Sequence, residues 1–203
     1  CAHPLYGGVF VGGQSRRMGR PKFSLAYNGM LEPERLLNLL RQTTKKTFLS
    51  ARPGQDLGQL EEPAGSERLD DEHVGLGPVG GLATLMGRHP QAAWLVTACD
   101  MPFLNENAIH HIISQRDPLR YGTCYVKKGG LGVETMCAIY EPKFIVPLYE
   151  AMSRRDLSIA RIIRELPFKL VKVPAEDRSS FINVNTPEEY EMARVKREQD
   201  FCQ

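Results

Sequence analysis

The chain has 203 residues, of which 42% are hydrophobic and 25% charged, and its formal net charge is +2. This composition is typical of a globular protein, and the length suits one sizeable core. We therefore expect a single domain over residues 1–203, with short tails at 1–5 and 197–203. The small net charge excludes bulk attraction to nucleic acid or to a membrane surface, and no apolar run approaches the roughly 18 residues that suggest a transmembrane helix.

The five cysteines lie far apart in the sequence, at Cys1, Cys99, Cys124, Cys137 and Cys202. No two of them have the spacing of a zinc site or of a redox-active C-x-x-C pair. Because disulfide bonds are rare in the reducing cytosol, this pattern indicates reduced thiols and a cytoplasmic location.

An apolar run over residues 6–11 predicts a buried first strand, which ends at the glycine pair Gly12-Gly13. Bare glycines let a ligand approach main-chain N–H groups closely. Four cations follow the pair: Arg16, Arg17, Arg20 and Lys22. Clustered cations beside an open backbone suit a polyphosphate, although a solvated basic hairpin would carry the same residues. The spacing is not that of a P-loop, because no Gly-Lys-Ser/Thr follows.

The rest of the chain alternates between strand and helix patterns. Strands are predicted at 23–27, ending in the turn Asn28-Gly29, then at 47–51, around Leu69, and at 92–98, 121–126, 134–140, 168–173 and 181–185. Helices are predicted at 31–41, from Pro78, from the N-cap Asn105, and at 142–152, 156–166 and 187–196, the last with Thr186 as its N-cap. This alternation predicts an α/β fold, with three layers and a doubly wound, mostly parallel sheet.

Gly75, Gly77 and Gly80 form a literal G-x-G-x-x-G. In a dinucleotide-binding fold this motif directly follows an apolar strand, whereas here the acidic run 70–72 precedes it. We therefore interpret it as a flexible loop that leads into the helix beginning near Pro78.

Polar residues follow three of the predicted strands. They are the cation loop after the first strand, Asp70 and Asp71 after the short strand, and Asp100 after the strand at 92–98. Ligands of open parallel sheets bind beyond the carboxyl ends of the strands. Asp100 alone could be a turn former, but beside a phosphate loop it suits Mg²⁺, which binds one or two carboxylates plus phosphate oxygens. The combination predicts displacement at phosphorus, catalysed by positioning and charge neutralisation.

The loop Gly12-Gly13-x-Ser15-x-Arg17-Met18-Gly19-x-x-Lys22 resembles the signature of nucleotidyltransferases that activate cofactors and sugars. More closely, the chain resembles the molybdenum cofactor guanylyltransferases, the MobA family, from about Tyr6 to Tyr190. The other matching segments are Gly77-Pro78-Val79-Gly80-Gly81, Ala98-Cys99-Asp100-Met101-Pro102, 134–142 and 181–189. The resemblance implies a Rossmann-like nucleotidyltransferase fold and a reaction with GTP. In that reaction the terminal phosphate of Mo-molybdopterin attacks the α-phosphate of GTP, pyrophosphate leaves, and the guanine dinucleotide form of the cofactor results.

The resemblance also implies which residues bind the nucleoside. Main-chain groups of four residues would line guanine and ribose: Phe10, Val11, Gly12 and Gly13. The family usually has Leu-Ala where this chain has Phe10-Val11, and both pairs are apolar. Ser50 stands where the family has an Asn that contacts the nucleotide. Asp70 would be a further contact, with its neighbour Asp71 as the alternative.

The phosphate and acceptor roles follow from the same resemblance. Arg17 and Lys22 would hold the triphosphate and stabilise the leaving pyrophosphate, and Asp100 would bind Mg²⁺. Asn183 and Asn185 would lie on the pterin side of the site.

Two alternatives remain beside a guanylyltransferase. A sister enzyme of the same fold uses CTP and typically has Ala-Gly where this chain has Gly12-Gly13; because a larger purine needs the bare position, we expect GTP. The second alternative is a catalytically silent, nucleotide-binding chaperone of the cofactor. The presence of Lys22 and Asp100 argues against it. The implied partners are GTP and Mo-molybdopterin. Transient contact with cofactor insertion proteins or molybdoenzymes is also compatible with the resemblance.

Overall fold

The computed structural model describes residues 3–13, 17–58, 60, 65–130 and 132–201, so Cys1, Ser15, Arg16 and Cys202 lie outside the described residues. In chain order the strands are β1 (Leu5–Phe10), β2 (Ala26–Tyr27), β3 (Met30–Leu31), β4 (Thr47–Ala51), β5 (Ser66–Asp70), β6 (Ala93–Ala98), β7 (Gly122–Val126), β8 (Val133–Tyr140) and β9 (Lys169–Lys172). The helices are α1 (Glu32–Arg41), α2 (Gly77–Arg88), α3 (Glu106–Ser114), α4 (Ile145–Ser153), α5 (Ile159–Glu165) and α6 (Pro187–Phe201). Short 3-10 turns include Lys22–Ser24, Pro142–Phe144 and Arg178–Phe181.

Most of these strands belong to one sheet, in the order β5-β4-β1-β6-β8-β7-β9. Neighbouring strands are parallel except at β8, which runs antiparallel to both β6 and β7. The mostly parallel α/β sheet predicted from the sequence is thus confirmed. β2 and β3 form a separate antiparallel hairpin around the predicted turn at Asn28-Gly29.

Two buried clusters cover the two faces of the sheet and give the predicted three layers. α1 and α3 pack on one face, and α2, α4 and α5 on the other. Along β6, Leu95 belongs to the first cluster whereas Trp94 and Val96 belong to the second, because successive side chains of a strand point to opposite faces. A strand covered on both faces needs a continuous apolar run, which is why β1 and β6 were evident in the sequence.

A third cluster joins the cation loop to the last helix. Its buried members are Met18, Leu25, Tyr27, Val184, Tyr190 and Ala193. The Tyr190 hydroxyl also donates to the carbonyl oxygen of Ala26 at 2.8 Å, so α6 is fixed against the β2–β3 hairpin.

The prediction of a strand at 181–185 is wrong. Arg178–Phe181 form a 3-10 turn, and the following residues lie outside the sheet. The main-chain N–H of Val184 donates to the carbonyl oxygen of Asp100 at 2.7 Å instead of to a neighbouring strand. Val184 is buried and the Phe181 ring lies against Tyr125 of β7, whereas Ile182 is exposed, so the apolar residues of this segment do not share one strand face.

The cap of the last helix is confirmed. Thr186 Oγ1 accepts from the N–H of Glu189 at 3.3 Å, and the Glu189 carboxylate accepts from the N–H of Thr186 at 3.1 Å, which is a capping box. α6 continues past the predicted end at 196 to Phe201. α5 begins later than predicted, at Ile159, where Ser158 provides the N-cap.

None of the helices in the described ranges combines the length and the apolar composition that crossing a bilayer requires. Cys99, Cys124 and Cys137 carry free thiols, as the cysteine spacing predicted, and all three are buried.

We expect Gly122→Ala to destabilise the fold by about 1–3 kcal/mol, the usual cost of overpacking. An added Cβ at Gly122, in β7, would overlap the carbonyl oxygen of Ile139 and the ring of Phe168, which packing holds in place. Urea denaturation measures the loss. Gly132→Ala is the control, because the nearest atom to its Cβ would be a Lys127 side-chain carbon at 3.9 Å. Equal losses in the two variants would contradict this account.

Candidate functional site

Two adjoining clefts open beyond the carboxyl ends of β1, β4, β5 and β6. The first, called the lysine cleft, has a volume of about 310 Å³ and includes Lys22, Asp100 and Asn185 in its wall. The second, called the Asp71 cleft, has a volume of about 410 Å³ and includes Ser50 and Asp71. Both are lined by Phe10, Gly13 and Pro78, so they form one continuous depression at this edge of the sheet.

Lys22 is at the centre of the lysine cleft. Its Nζ donates to Asn185 Oδ1 at 2.7 Å and lies 3.4 Å from Asp100 Oδ2. The side chains of Lys22 and Asp100 keep 20% and 24% of their exposure, so the pair remains accessible to a ligand. Arg17 lines the same cleft as an exposed residue at its rim. The sequence-predicted catalytic residues are therefore together in one place.

The cation loop is anchored directly after Arg17 and directly after Lys22. Met18 is buried in the third cluster, and Phe23 is buried in the 3-10 turn that begins with Lys22. Arg20, which looked equivalent to the other cations, has its guanidinium 4.4 Å from the centre of the Tyr190 ring. This stacking on α6 directs Arg20 away from the cleft that Arg17 and Lys22 line.

In the Asp71 cleft, the Ser50 hydroxyl donates to Asp71 Oδ1 at 2.7 Å. Burial raises the pKa of Asp71 above its usual value; the hydrogen bond from Ser50 opposes this rise, and the nearby charge of Asp70 adds to it. Asp70 itself is exposed and pairs with Arg68 at 2.7 Å. Asp71, and not the predicted Asp70, therefore faces the cleft.

The alternation of side chains along β5 explains why Asp71, and not Asp70, faces the cleft. Leu69 packs on the face of the sheet that α2 covers, and side chains two apart along a strand share a face. Asp71 therefore points toward the start of α2, whereas Asp70 points the other way. The same alternation, counted from Leu69, would have selected Asp71 from the sequence.

The main chain after β1 is only partly available to a ligand. Val11 donates its N–H to the Ser50 carbonyl oxygen at 3.0 Å, and its own carbonyl accepts from Gln55 Nε2 at 3.1 Å. Contacts to a ligand's base or ribose through this backbone therefore fall chiefly on Gly12 and Gly13. A methyl group at Gly12 would lie 3.6 Å from Asp71 Oδ2, whereas one at Gly13 would meet nothing within 4 Å.

A third cavity, called the Tyr125 cavity, has a volume of about 680 Å³ and lies beyond the carboxyl ends of β7 and β9. Phe181 and Ile182 form part of its wall, and Asn185 reaches the lysine cleft, so the segment between them runs from one space to the other. Along this segment, Asn183 Oδ1 is buried and has no hydrogen-bond partner among the described residues. Three cations line the cavity: Lys127, Lys172 and Arg178.

Sequence reasoning missed the part that the start of α2 has in the site. Gly77 and Pro78 line the clefts although the glycine motif is not a dinucleotide fingerprint. The signal was its position, because a loop that follows the carboxyl end of a parallel strand belongs to the ligand-binding edge. Within the described residues no group of three or more His, Cys, Asp or Glu side chains could enclose a metal ion.

Comparisons with known proteins agree with this architecture. Residues 7–171 match the MobA-like NTP transferase domain family. A molybdenum cofactor biosynthesis bifunctional protein from Synechocystis is 30% identical over 92% of this chain and 53% of that protein, so the chain spans about half of that relative's length. A molybdenum cofactor guanylyltransferase from Xanthomonas euvesicatoria is 30% identical over 92% of this chain and 93% of that protein.

Among solved structures, molybdopterin-guanine dinucleotide biosynthesis protein A from Archaeoglobus fulgidus has a similar fold. The two superpose with a TM-score of 0.77 at 21% identity, over 96% of this chain and 99% of that one. The structural match supports the fold, and the family match extends over most of the sheet and over the lining residues of both clefts other than Asn185. The chain therefore belongs to the MobA-like NTP transferase domain family.

Proposed function

We propose that this protein is a molybdenum cofactor guanylyltransferase that transfers GMP from GTP to the terminal phosphate of Mo-molybdopterin. The observation that carries the proposal is the contact of Lys22 with Asp100 and Asn185, directly beside the Asp71 cleft. One cation, one carboxylate and an adjoining nucleoside-sized cleft are what activation of a nucleotide at its α-phosphate requires.

GTP would bind across both clefts. The base and ribose would occupy the Asp71 cleft, and the triphosphate would pass Gly12 and Gly13 into the lysine cleft. Pro78 is in the first turn of α2 and borders both clefts, so the positive end of that helix faces the expected position of the phosphates. The bare Gly12 keeps space open next to Asp71, and guanine presents N–H donors that a carboxylate can accept. The space at Gly12 favours GTP over CTP, whereas a carboxylate acceptor alone does not discriminate, because cytosine also presents an amino donor at N4.

In the reaction, an oxygen of the terminal phosphate of Mo-molybdopterin attacks the α-phosphorus of GTP. A new P–O bond forms to the acceptor as the bond to the β-phosphate oxygen breaks, and pyrophosphate leaves with that electron pair. Lys22 and the rim residue Arg17 would neutralise the charge that develops on the departing pyrophosphate. Catalysis by positioning and charge neutralisation is the expected mode for phosphoryl chemistry of this kind.

Asp100 fits a single Mg²⁺ ion shared with phosphate. Its carboxylate is accessible in the lysine cleft and offers the hard oxygen ligand that Mg²⁺ prefers. The chemistry that Mg²⁺ would supply is neutralisation of phosphate charge. One protein carboxylate suffices, because phosphate oxygens and waters complete such sites.

The acceptor would lie along the segment from the Tyr125 cavity to the lysine cleft. Asn183 has a buried side-chain oxygen that lacks a partner among the described residues, and Asn185 already reaches Lys22. Glu134 also lines the Tyr125 cavity and pairs with Lys127 at 3.3 Å; the two further cations, Lys172 and Arg178, suit the negative charge of the pterin substrate. Transient contact with cofactor insertion proteins or molybdoenzymes remains part of the proposal.

Product analysis tests this function. The protein is incubated with Mo-molybdopterin, Mg²⁺ and each nucleoside triphosphate in turn, and the products are identified by mass. We expect the guanine dinucleotide and pyrophosphate with GTP. A larger yield with CTP would identify a cytidylyltransferase, whereas nucleotide binding without any product would support the silent chaperone.

Asp100→Asn and Lys22→Met should each lower kcat by about 100-fold or more, since each removes a charge acting on the phosphates. Steady-state pyrophosphate release measures the effect. Lys46→Met is a matched control, because Lys46 precedes β4 at the opposite edge of the sheet and its side chain forms an exposed pair with Glu67. Retention of Mg²⁺-dependent activity in Asp100→Asn would refute the metal assignment.

Asp71→Asn should weaken GTP binding roughly tenfold, the effect of one hydrogen bond to a charged acceptor, while Asp70→Asn should have little effect. Because burial raises the pKa of Asp71, this carboxylate takes up its proton at a higher pH than usual. GTP affinity of the wild type should therefore fall as the pH is lowered through that pKa, and Asp71→Asn should lack this dependence. Calorimetry across a pH series distinguishes the two aspartates.

A further inference from the structure

We propose that Arg35, held by Glu32, is a positioning residue that fixes Asp100 relative to Lys22. The inference rests on the proposed function, in which these two side chains act on the same phosphates. Neither Arg35 nor Glu32 lines the lysine cleft. They act through the main chain of the loop at 99–104, which leads from β6 toward α3.

Arg35 uses its planar guanidinium to join α1 to this loop. Nη1 donates to the carbonyl oxygen of Leu104 at 2.6 Å, and Nη2 donates to that of Met101 at 3.3 Å. On its other side, Nε and Nη2 donate to the two carboxylate oxygens of Glu32 at 2.8 and 2.7 Å. A lysine has no such fork of donors and cannot make these contacts together.

The loop that carries Asp100 depends on such donors because few of its carbonyls face regular secondary structure. The Asp100 carbonyl accepts from the N–H of Val184 at 2.7 Å, and the Pro102 carbonyl accepts from Arg197 of α6. Arg35 supplies the donors on the α1 side. The Met101 carbonyl also accepts from the N–H of Leu104 at 3.0 Å, so the 2.6 Å contact of Arg35 with the Leu104 carbonyl is the stronger restraint that Arg35 places on the loop.

Glu32 also connects the start of α1 to the cation loop. Its main-chain N–H donates to the Leu25 carbonyl at 2.9 Å, and the N–H of Leu25 donates to the Lys22 carbonyl at 3.2 Å. The start of α1 is thus connected to the turn that carries Lys22 and, through Arg35, to the loop that carries Asp100. The 3.4 Å distance between Lys22 Nζ and Asp100 Oδ2 follows from one shared support.

Stability alone is a poor explanation for this pair. Glu32 is fully buried, and the loss of hydration when two charges are buried offsets much of their attraction. An apolar pair of similar volume would serve the core as well, but it could not hold two loop carbonyls at defined positions. Control of position near the metal ligand is therefore the role that the contacts favour.

The chain provides a matched control in a second buried arginine–glutamate pair. Arg116 donates to the two carboxylate oxygens of Glu141 at 2.6 and 2.9 Å, and it also donates to the carbonyl oxygen of His3 at 3.0 Å. Glu141 directly follows the end of β8, where Tyr140 pairs with Trp94 near the start of β6. This second pair is at the edge of the sheet opposite Asp100, so it shares the chemistry of the first pair without its location.

The experiment compares Arg35→Lys with Arg116→Lys in the full chain. Three quantities are measured: the melting temperature, the dissociation constant of Mn²⁺ in the presence of GTP by electron paramagnetic resonance, and kcat with KM for GTP. We expect similar losses of melting temperature in both variants. Only Arg35→Lys should weaken Mn²⁺ binding, roughly tenfold, and lower kcat more than it raises KM, as supporting residues of metal sites do.

Equal effects of the two variants on Mn²⁺ binding would overturn the inference. If Arg35→Lys does not fold, Glu32→Gln and Glu141→Gln make the same comparison, and a loss of Mn²⁺ affinity confined to Glu32→Gln supports it. The proposed function fails separately, if the wild type forms no guanine dinucleotide product. Even in that case, the positioning role of Arg35 holds if the wild type binds Mn²⁺ with GTP through Asp100 and Arg35→Lys weakens that binding.

Discussion

The site depends on one contact, in which Lys22 joins Asp100 and Asn185. These residues are far apart in sequence, and the parallel pairing of β1 with β6 brings the first two together. Phe10 and Ala98 are partners in that register, so both strands end at the same level and their loops meet. Asn185 arrives by another route, since the segment before α6 folds back over the end of β6. The cleft is therefore a consequence of sheet register.

Burial and charge are separated along each of these strands. β1 and β6 are covered on both faces and contain no charged residue, so charged groups occur only where the strands have ended. Buried ion pairs and buried apolar residues, such as Met18 in the third cluster, hold in place the loops that carry the charged side chains. Burial also raises the pKa of Asp71. The rigid core thus determines both the positions and the protonation behaviour of the groups at its edge.

The sequence was informative where a local pattern decides the outcome. Continuous apolar runs identified β1 and β6, and the capping residues at Thr186 and Glu189 identified the start of α6. Prediction from the sequence failed where a contact with a residue distant in the sequence decides the local structure. The alternation at 181–185 suited a strand, but the N–H of Val184 has its partner on the loop after β6, and that of Ile182 has its partner at Ser179 in the preceding turn. The reversed direction of β8 and the contacts of Arg35 with loop carbonyls likewise depend on residues that are distant in the sequence. The single-domain organisation stays a prediction.

The reversed strand β8 has a consequence for how such a site can change. The lysine cleft and the Asp71 cleft lie at the ends of parallel strands, whereas the Tyr125 cavity is also bordered by the β7–β8 hairpin, whose tip includes Gly129 and Gly130 with φ of 82° and 75°. A hairpin tip can lengthen, shorten or exchange residues without altering the register of the strands behind it. Under the proposed function, acceptor choice and nucleotide choice would thus depend on separate parts of the sheet, and one could change in evolution while the other is preserved.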